Sequence, residues 1–204
     1  MTKIDFDKIF ELLSDKSFQD PRTGNLFFPA YIYTYKPEEE YDVRDKIEQA
    51  VKNLARPNNY LNTLSINIYH ELIAFLKKKT FMKRPLLDLM IEKEKENPKA
   101  ASYWVKDQMP NFVKYFVDKV HEHFADEDGN KAYLIIYGFG SMFPYMRASE
   151  LIKQTESLIK NFKVIVFFPG EYENSYYRLF NIFNDENTYR ANHLNKMLSE
   201  EQIL

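Results

Sequence analysis

The residues best placed to do chemistry lie in the second half of the chain. Gly138-Phe139-Gly140 stands between an apolar run and a stretch headed by Pro144. In an open α/β sheet that is where a ligand crevice forms and where helix N-terminal N–H groups can cradle a phosphate. A dinucleotide fingerprint would need a third glycine at position 143, which is Phe143, and the Gly-Lys-Ser/Thr ending of a P-loop is absent. Two glycines at such a turn also suit a positive φ or tight packing. Arg147, in the first turn after Pro144, could take an acidic group of a ligand or partner in a two-pronged contact, or pair with Glu150 or Glu171. Phe168-Pro169-Gly170-Glu171-Tyr172 closes the next apolar run, so Glu171 and Arg147 are expected at neighbouring strand ends. Pro-Gly is equally a turn dipeptide, and Glu171 is no general base without a paired acid, metal or nucleophile.

Other chemistries fail on specific residues. Ser141 sits in Gly-Phe-Gly-Ser-Met, where Met142 and Phe143 replace the Ser-x-Gly ending of a nucleophile elbow. His121 and His123 are two apart and diverge on a helix, while His70 and His193 have no metal-ligand spacing. The chain has no cysteine, which excludes thiolate zinc, Fe–S clusters, disulfides and cysteine nucleophiles. No catalytic residue, metal or cofactor is therefore expected. Tyr177-Arg178-Leu179-Phe180 and the 185–190 segment ending in Arg190 mix aromatics with arginines, which suits a protein interface or a stacked base. The neighbouring acids Asp185 and Glu186 suit internal salt bridges instead.

Alternating strand and helix patterns must position these residues. Residues 4–13 read as a helix, 30–34 as a strand, and 37–57 as a helix that starts on Pro37 and acids. Leu64, Ile66 and Ile68 alternate as a second strand before another helical pattern from Leu72. Residues 81–124 show no convincing strand and form a helical insertion around a solvated Glu-Lys run. Residues 132–137 and 163–168 are continuous apolar runs, the mark of strands buried on both faces, with a helix from Pro144 between them. The order predicts one α/β domain over 1–204 with a mainly parallel, Rossmann-like sheet flanked by helices, and a C-terminal extension from about 174.

Composition bounds the partners. With 204 residues and 45% hydrophobic content, one sizeable core can form. The 28 basic and 30 acidic residues give a formal net charge of −2, so no global field favours nucleic acid and any DNA contact would need a local patch. Acids among the first eight residues argue against a signal peptide, and no apolar window is long enough to span a membrane. A cytoplasmic protein with no membrane contact is expected. The 17 Phe and 15 Tyr invite a binding reading, although codon bias towards A and T would enrich Phe, Tyr, Ile, Asn and Lys together.

Ordered blocks carry a family likeness. Gly138-Phe139-Gly140, Phe143-Pro144 and Arg147 are followed by Phe168-Pro169-Gly170-Glu171-Tyr172, then Arg178-Leu179-Phe180 and Asn187-Thr188-Tyr189-Arg190. Tyr31-Ile32-Tyr33, Val43-Arg44 and Ile66-Asn67-Ile68-Tyr69 extend the match through the N-terminal half. The chain thus resembles the BrxB family of BREX anti-phage defence systems. It departs at Thr188, where the family pattern has tyrosine, and at Asn192-His193, where the ending is usually apolar. The resemblance implies a cytoplasmic, non-catalytic adaptor beside a methyltransferase, a large ATPase and a PglZ-like protein, reaching DNA only through the complex. Its candidate contact residues are Gly138, Gly140, Arg147, Gly170, Glu171, Tyr172, Arg178 and Arg190. The alternative is a nucleotide- or nucleic-acid-binding module at the carboxyl edge of the sheet.

Overall fold

Each β-branched or aromatic run becomes a strand, and each three-to-four periodic stretch a helix. The computed structural model describes residues 6–20, 29–56, 60–125, 132–159, 162–185 and 189–200. Helices α1 (Phe6–Ser14) and α2 (Lys16–Gln19) precede strand β1 (Ala30–Tyr35), and a 3-10 turn leads into α3 (Glu40–Leu54). Strand β2 (Asn62–Asn67) runs directly into α4 (Ile68–Lys78) because Asn67 caps it, its Oδ1 accepting from the backbone N–H groups of Tyr69 and His70. A small hairpin of β3 (Thr80–Phe81) and β4 (Arg84–Pro85) comes before α5 (Leu86–Glu96) and α6 (Ala100–Phe124). Then follow β5 (Ala132–Tyr137), α7 (Ala148–Thr155), β6 (Lys163–Glu173), β7 (Tyr176–Leu179), β8 (Phe183–Asp185), β9 (Asn192–His193) and α8 (Leu194–Glu200).

The protein is a single α/β domain whose central sheet has the order β2-β5-β6-β1-β9, parallel throughout. Period-two alternation sorts its side chains. Ile32, Ile66, Leu134, Ile136, Val164 and Val166 pack with α4, α5, α6 and α7. Tyr31, Tyr33, Tyr35, Tyr133, Ile135, Ile165 and Phe167 pack with α1, α2, α3 and α8. Much of the aromatic content is thus core, at roughly 1.5–3 kcal/mol of apolar transfer per large side chain. No described helix is long and apolar enough to cross a membrane.

Three local expectations change. The helix expected from Pro144 begins at Ala148: residues 139–142 form a 3-10 turn, the Met142 carbonyl accepts from the N–H groups of Tyr145 and Met146, and Phe143–Pro144 is cis. A two-residue ladder, Thr80↔Pro85 and Phe81↔Arg84, opens the otherwise helical insertion. Strand β6 does not stop at Pro169-Gly170. Its first half pairs with β1 and β5, and residues 170–173 pair antiparallel with β7, which in turn pairs with β8. Beyond residue 174, β7 and β8 continue the hairpin from β6 and β9 adds to β1. There the Asn195 amide continues the ladder, accepting from Thr34 N at 2.8 Å and donating to Thr34 O at 2.8 Å.

Candidate functional site

The carboxyl ends of β2, β5, β6 and β1 bring Asn67, Gly138, Pro169 and Tyr35 to one edge. From there β2 and β5 connect to helices on one face and β1 to α3 on the other. A parting of connections to opposite faces is where an open α/β sheet forms its ligand crevice. Here β6, lying between β5 and β1, runs straight through that position and folds back as a hairpin. The return is fixed by stacking: Tyr172, three residues beyond the end of the β1 pairing, stacks on His193, whose register partner is Ile32 in the middle of β1.

Each glycine at this edge makes room for the chain itself. Gly138 is left-handed (φ 85°), and a Cβ there would lie 2.6 Å from Asn67 Oδ1, the cap of α4. A Cβ on Gly140 would meet the Phe180 ring at 2.9 Å. One on Gly170 would fall 2.0 Å from the Arg178 carbonyl oxygen, so β6 and β7 pair only because position 170 has no side chain. The volumes a phosphate-cradling loop would leave open are occupied by Asn67, Phe180 and the Arg178 backbone.

The charged groups are tied to one another. Glu171 accepts from Arg178 Nη1 at 2.8 Å, and Glu173 accepts from the same nitrogen at 3.0 Å. These part-exposed pairs contribute little stability but fix the cross-strand register of the hairpin. On the other side of the edge Glu40 accepts from the Tyr35 hydroxyl and from Arg44 Nε at 2.7 Å, and Arg44 Nη2 lies 3.4 Å from Ser141 Oγ. Burial, reinforced by the Glu40 carboxylate, pushes the Tyr35 hydroxyl well above the ordinary tyrosine value, so it stays protonated. Glu40 therefore has both oxygens engaged, an unsuitable state for a general base. Arg190 donates to Glu156 at 2.8 Å beyond the end of α7, on the amino side of the sheet, and does not join the other candidates. Arg147 stands at the N-cap of α7, and Glu171 takes Arg178 as its ion-pair partner. Among the described residues, no group of three or more His, Asp or Glu side chains could hold a metal.

An aromatic cluster under the hairpin was not legible in the sequence. Tyr177, nearly fully buried, packs against Phe168, Tyr172, Tyr189 and His193 with ring centroids 4.6–5.9 Å apart. Its hydroxyl approaches His193 Nδ1 at 3.5 Å. Burial, with a smaller push from Lys196, lowers the His193 pKa to about 4, so the ring is neutral at pH 7. Outside this cluster the hairpin and the adjoining turn expose Tyr176, Ile182, Phe183 and Phe143, and Phe143 stacks on Phe183 at 4.5 Å. The result is a strip of apolar surface on a braced β-hairpin.

Comparison with known proteins gives this edge its setting. The family model described as BREX protein BrxB matches residues 64–194, the span that carries both hairpins, the glycine turn and β9. A curated relative, the BREX protein BrxB of Bacillus cereus (strain H3081.97), is 23% identical over 188 residues, covering 91% of this chain and 93% of the relative. No solved structure matches. With the glycine, Pro-Gly-Glu-Tyr and Arg-Leu-Phe blocks all inside the matched span, the chain belongs to the BrxB family and is a component of a BREX phage-defence system.

Proposed function

We propose that this chain is a non-catalytic adaptor of a cytoplasmic BREX assembly, docking on a PglZ-like protein or the large ATPase. On this reading the methyltransferase is a further neighbour and DNA is reached only through the complex. The observation that carries the reading is the filled edge. Where an α/β enzyme keeps its crevice, Asn67, Phe180 and the β6–β7 ladder take the space, and the hairpin turns apolar side chains outward. Exposed apolar strips of this kind are typical of protein contacts. Glu171, Tyr172 and Arg178 would form the rim and Ile182 and Phe183 the centre, with Gly138, Gly140 and Gly170 shaping the platform. Arg147 and Arg190 would be outlying contacts. The nucleotide-binding alternative needs the space that these side chains fill.

The test is recovery of other BREX subunits with a tagged chain expressed from its native locus. The wild type should bring down at least one of them. An Ile182→Asp/Phe183→Asp variant should lose it about tenfold, with a thermal midpoint lowered no further than by Phe183→Ala, which removes the same Phe143 stack. A wild type that recovers none ends the adaptor reading.

A further inference from the structure

An adaptor needs a second face, and the β3–β4 hairpin has the makings of one. Residues 77–84 read Lys-Lys-Lys-Thr-Phe-Met-Lys-Arg, five cations in eight positions with no acid. Lys77, Lys78 and Lys83 are exposed and have no ion-pair partner among the described residues, whereas Arg84 is paired with Glu92. At the tip Phe81 is 53% and Met82 80% exposed. The base is anchored by Leu86 N–H donating to Lys79 O at 2.8 Å. Helix α4 starts at the carboxyl edge and runs back along the sheet, so this tip lies towards the amino side, away from the β6–β7–β8 hairpin.

The turn itself departs from local preference. Met82 (φ 50°) and Lys83 (φ 64°) both occupy the left-handed region in a two-residue hairpin, the positions where Asn-Gly is strongly favoured. Non-glycine residues held there carry a local cost that the surrounding structure must offset. A flexible thioether and a phenyl ring ringed by unpaired ammonium groups are complementary to an apolar pocket rimmed by carboxylates.

We infer that the β3–β4 tip is a docking knob, with Phe81 and Met82 entering an apolar, acid-rimmed pocket on another protein subunit and Lys77, Lys78 and Lys83 meeting its rim. This rests on the adaptor reading and supplies its second contact. Duplex DNA or an anionic membrane would press an extended negative surface against Asp88, Glu92, Glu94 and Glu96 of the adjoining α5 as well as against the lysines. A recessed pocket touches the tip alone.

The experiment again recovers subunits with the tagged chain from the native locus, now with tip variants. Met82→Asn/Lys83→Gly installs the favoured turn, so it should keep or raise the thermal midpoint while removing the thioether half of the knob and one rim lysine. Lys77→Glu/Lys78→Glu reverses the rim charge. Both should lower recovery of one subunit at least tenfold and leave intact any contact made by the other hairpin, while Lys77→Arg/Lys78→Arg should retain recovery. Unchanged recovery with the first two variants overturns the knob but leaves the adaptor reading standing. A wild type that recovers no subunit overturns both. A photo-reactive side chain at position 82 should give a protein adduct, and adducts with nucleic acid or lipid alone would overturn the knob.

Discussion

Gly138 and Asn67 act as one unit. Asn67 contributes about 1 kcal/mol by capping α4, and its amide occupies the space next to Gly138. Gly138→Ala should cost the roughly 1–2 kcal/mol of forcing a Cβ into the left-handed region, plus the displacement of the cap. In an Asn67→Ala background only the backbone part should remain, so chemical denaturation of the four proteins should show a smaller cost of Gly138→Ala there. His193 makes a pH prediction. Its folded-state pKa of about 4 lies below the ordinary 6.5, so the unfolded chain binds the proton first and stability falls as pH drops from about 6.5 towards 4. In a His193→Phe variant, which keeps a ring against Tyr172 and Tyr177, denaturation midpoints should fall less over that window. The spacing of the four histidines bears only on metal-ligand patterns. It was silent on stacking, because Tyr172, Tyr177, Tyr189 and His193 meet only through two strand pairings and a chain reversal.

At the scale of elements, the amino side of the sheet ties down α1 and α2 through their last carbonyls. Tyr133 Oη donates to Leu13 O at 2.9 Å, Gln19 Nε2 donates to the same oxygen at 3.1 Å, and Lys163 Nζ donates to Phe18 O. Lys163 is fully buried, its ammonium 4.3 Å from the centre of the Phe18 ring, and burial holds it below the ordinary lysine value. Lys163→Met preserves the packing but leaves the Phe18 carbonyl without its donor, at a cost of about 1–3 kcal/mol. Amide exchange in α1 and α2 should quicken while that of β5 holds. The helices and central strands were legible because alternation and three-to-four spacing are local properties. The passage of β6 through Pro169-Gly170 was not, since Pro-Gly reads as a turn until a second strand is known to bring the Arg178 carbonyl against position 170. Pro144 misled for a similar reason: it permits a helix start, but the Met142 carbonyl completes a turn there first.

For the whole molecule, the strand order and the two-faced core set apart two surface regions of different charge on a chain of formal net charge −2. One is the apolar β6–β7–β8 hairpin, where Glu171 and Glu173 share the single Arg178 guanidinium, and the other is the cationic β3–β4 tip. The parallel sheet could be read from the alternation of elements, and the family from ordered blocks. What the candidate glycines do was hidden, because a glycine kept for a ligand and one kept for Asn67 or Phe180 have the same letter. The most direct measurement is hydrogen exchange of the free chain compared with the chain in its assembled BREX complex. The adaptor account expects the amides of β7 and β8 to gain protection on assembly, by about tenfold or more. Exchange in residues 171–185 that is identical in the free and assembled states would contradict it.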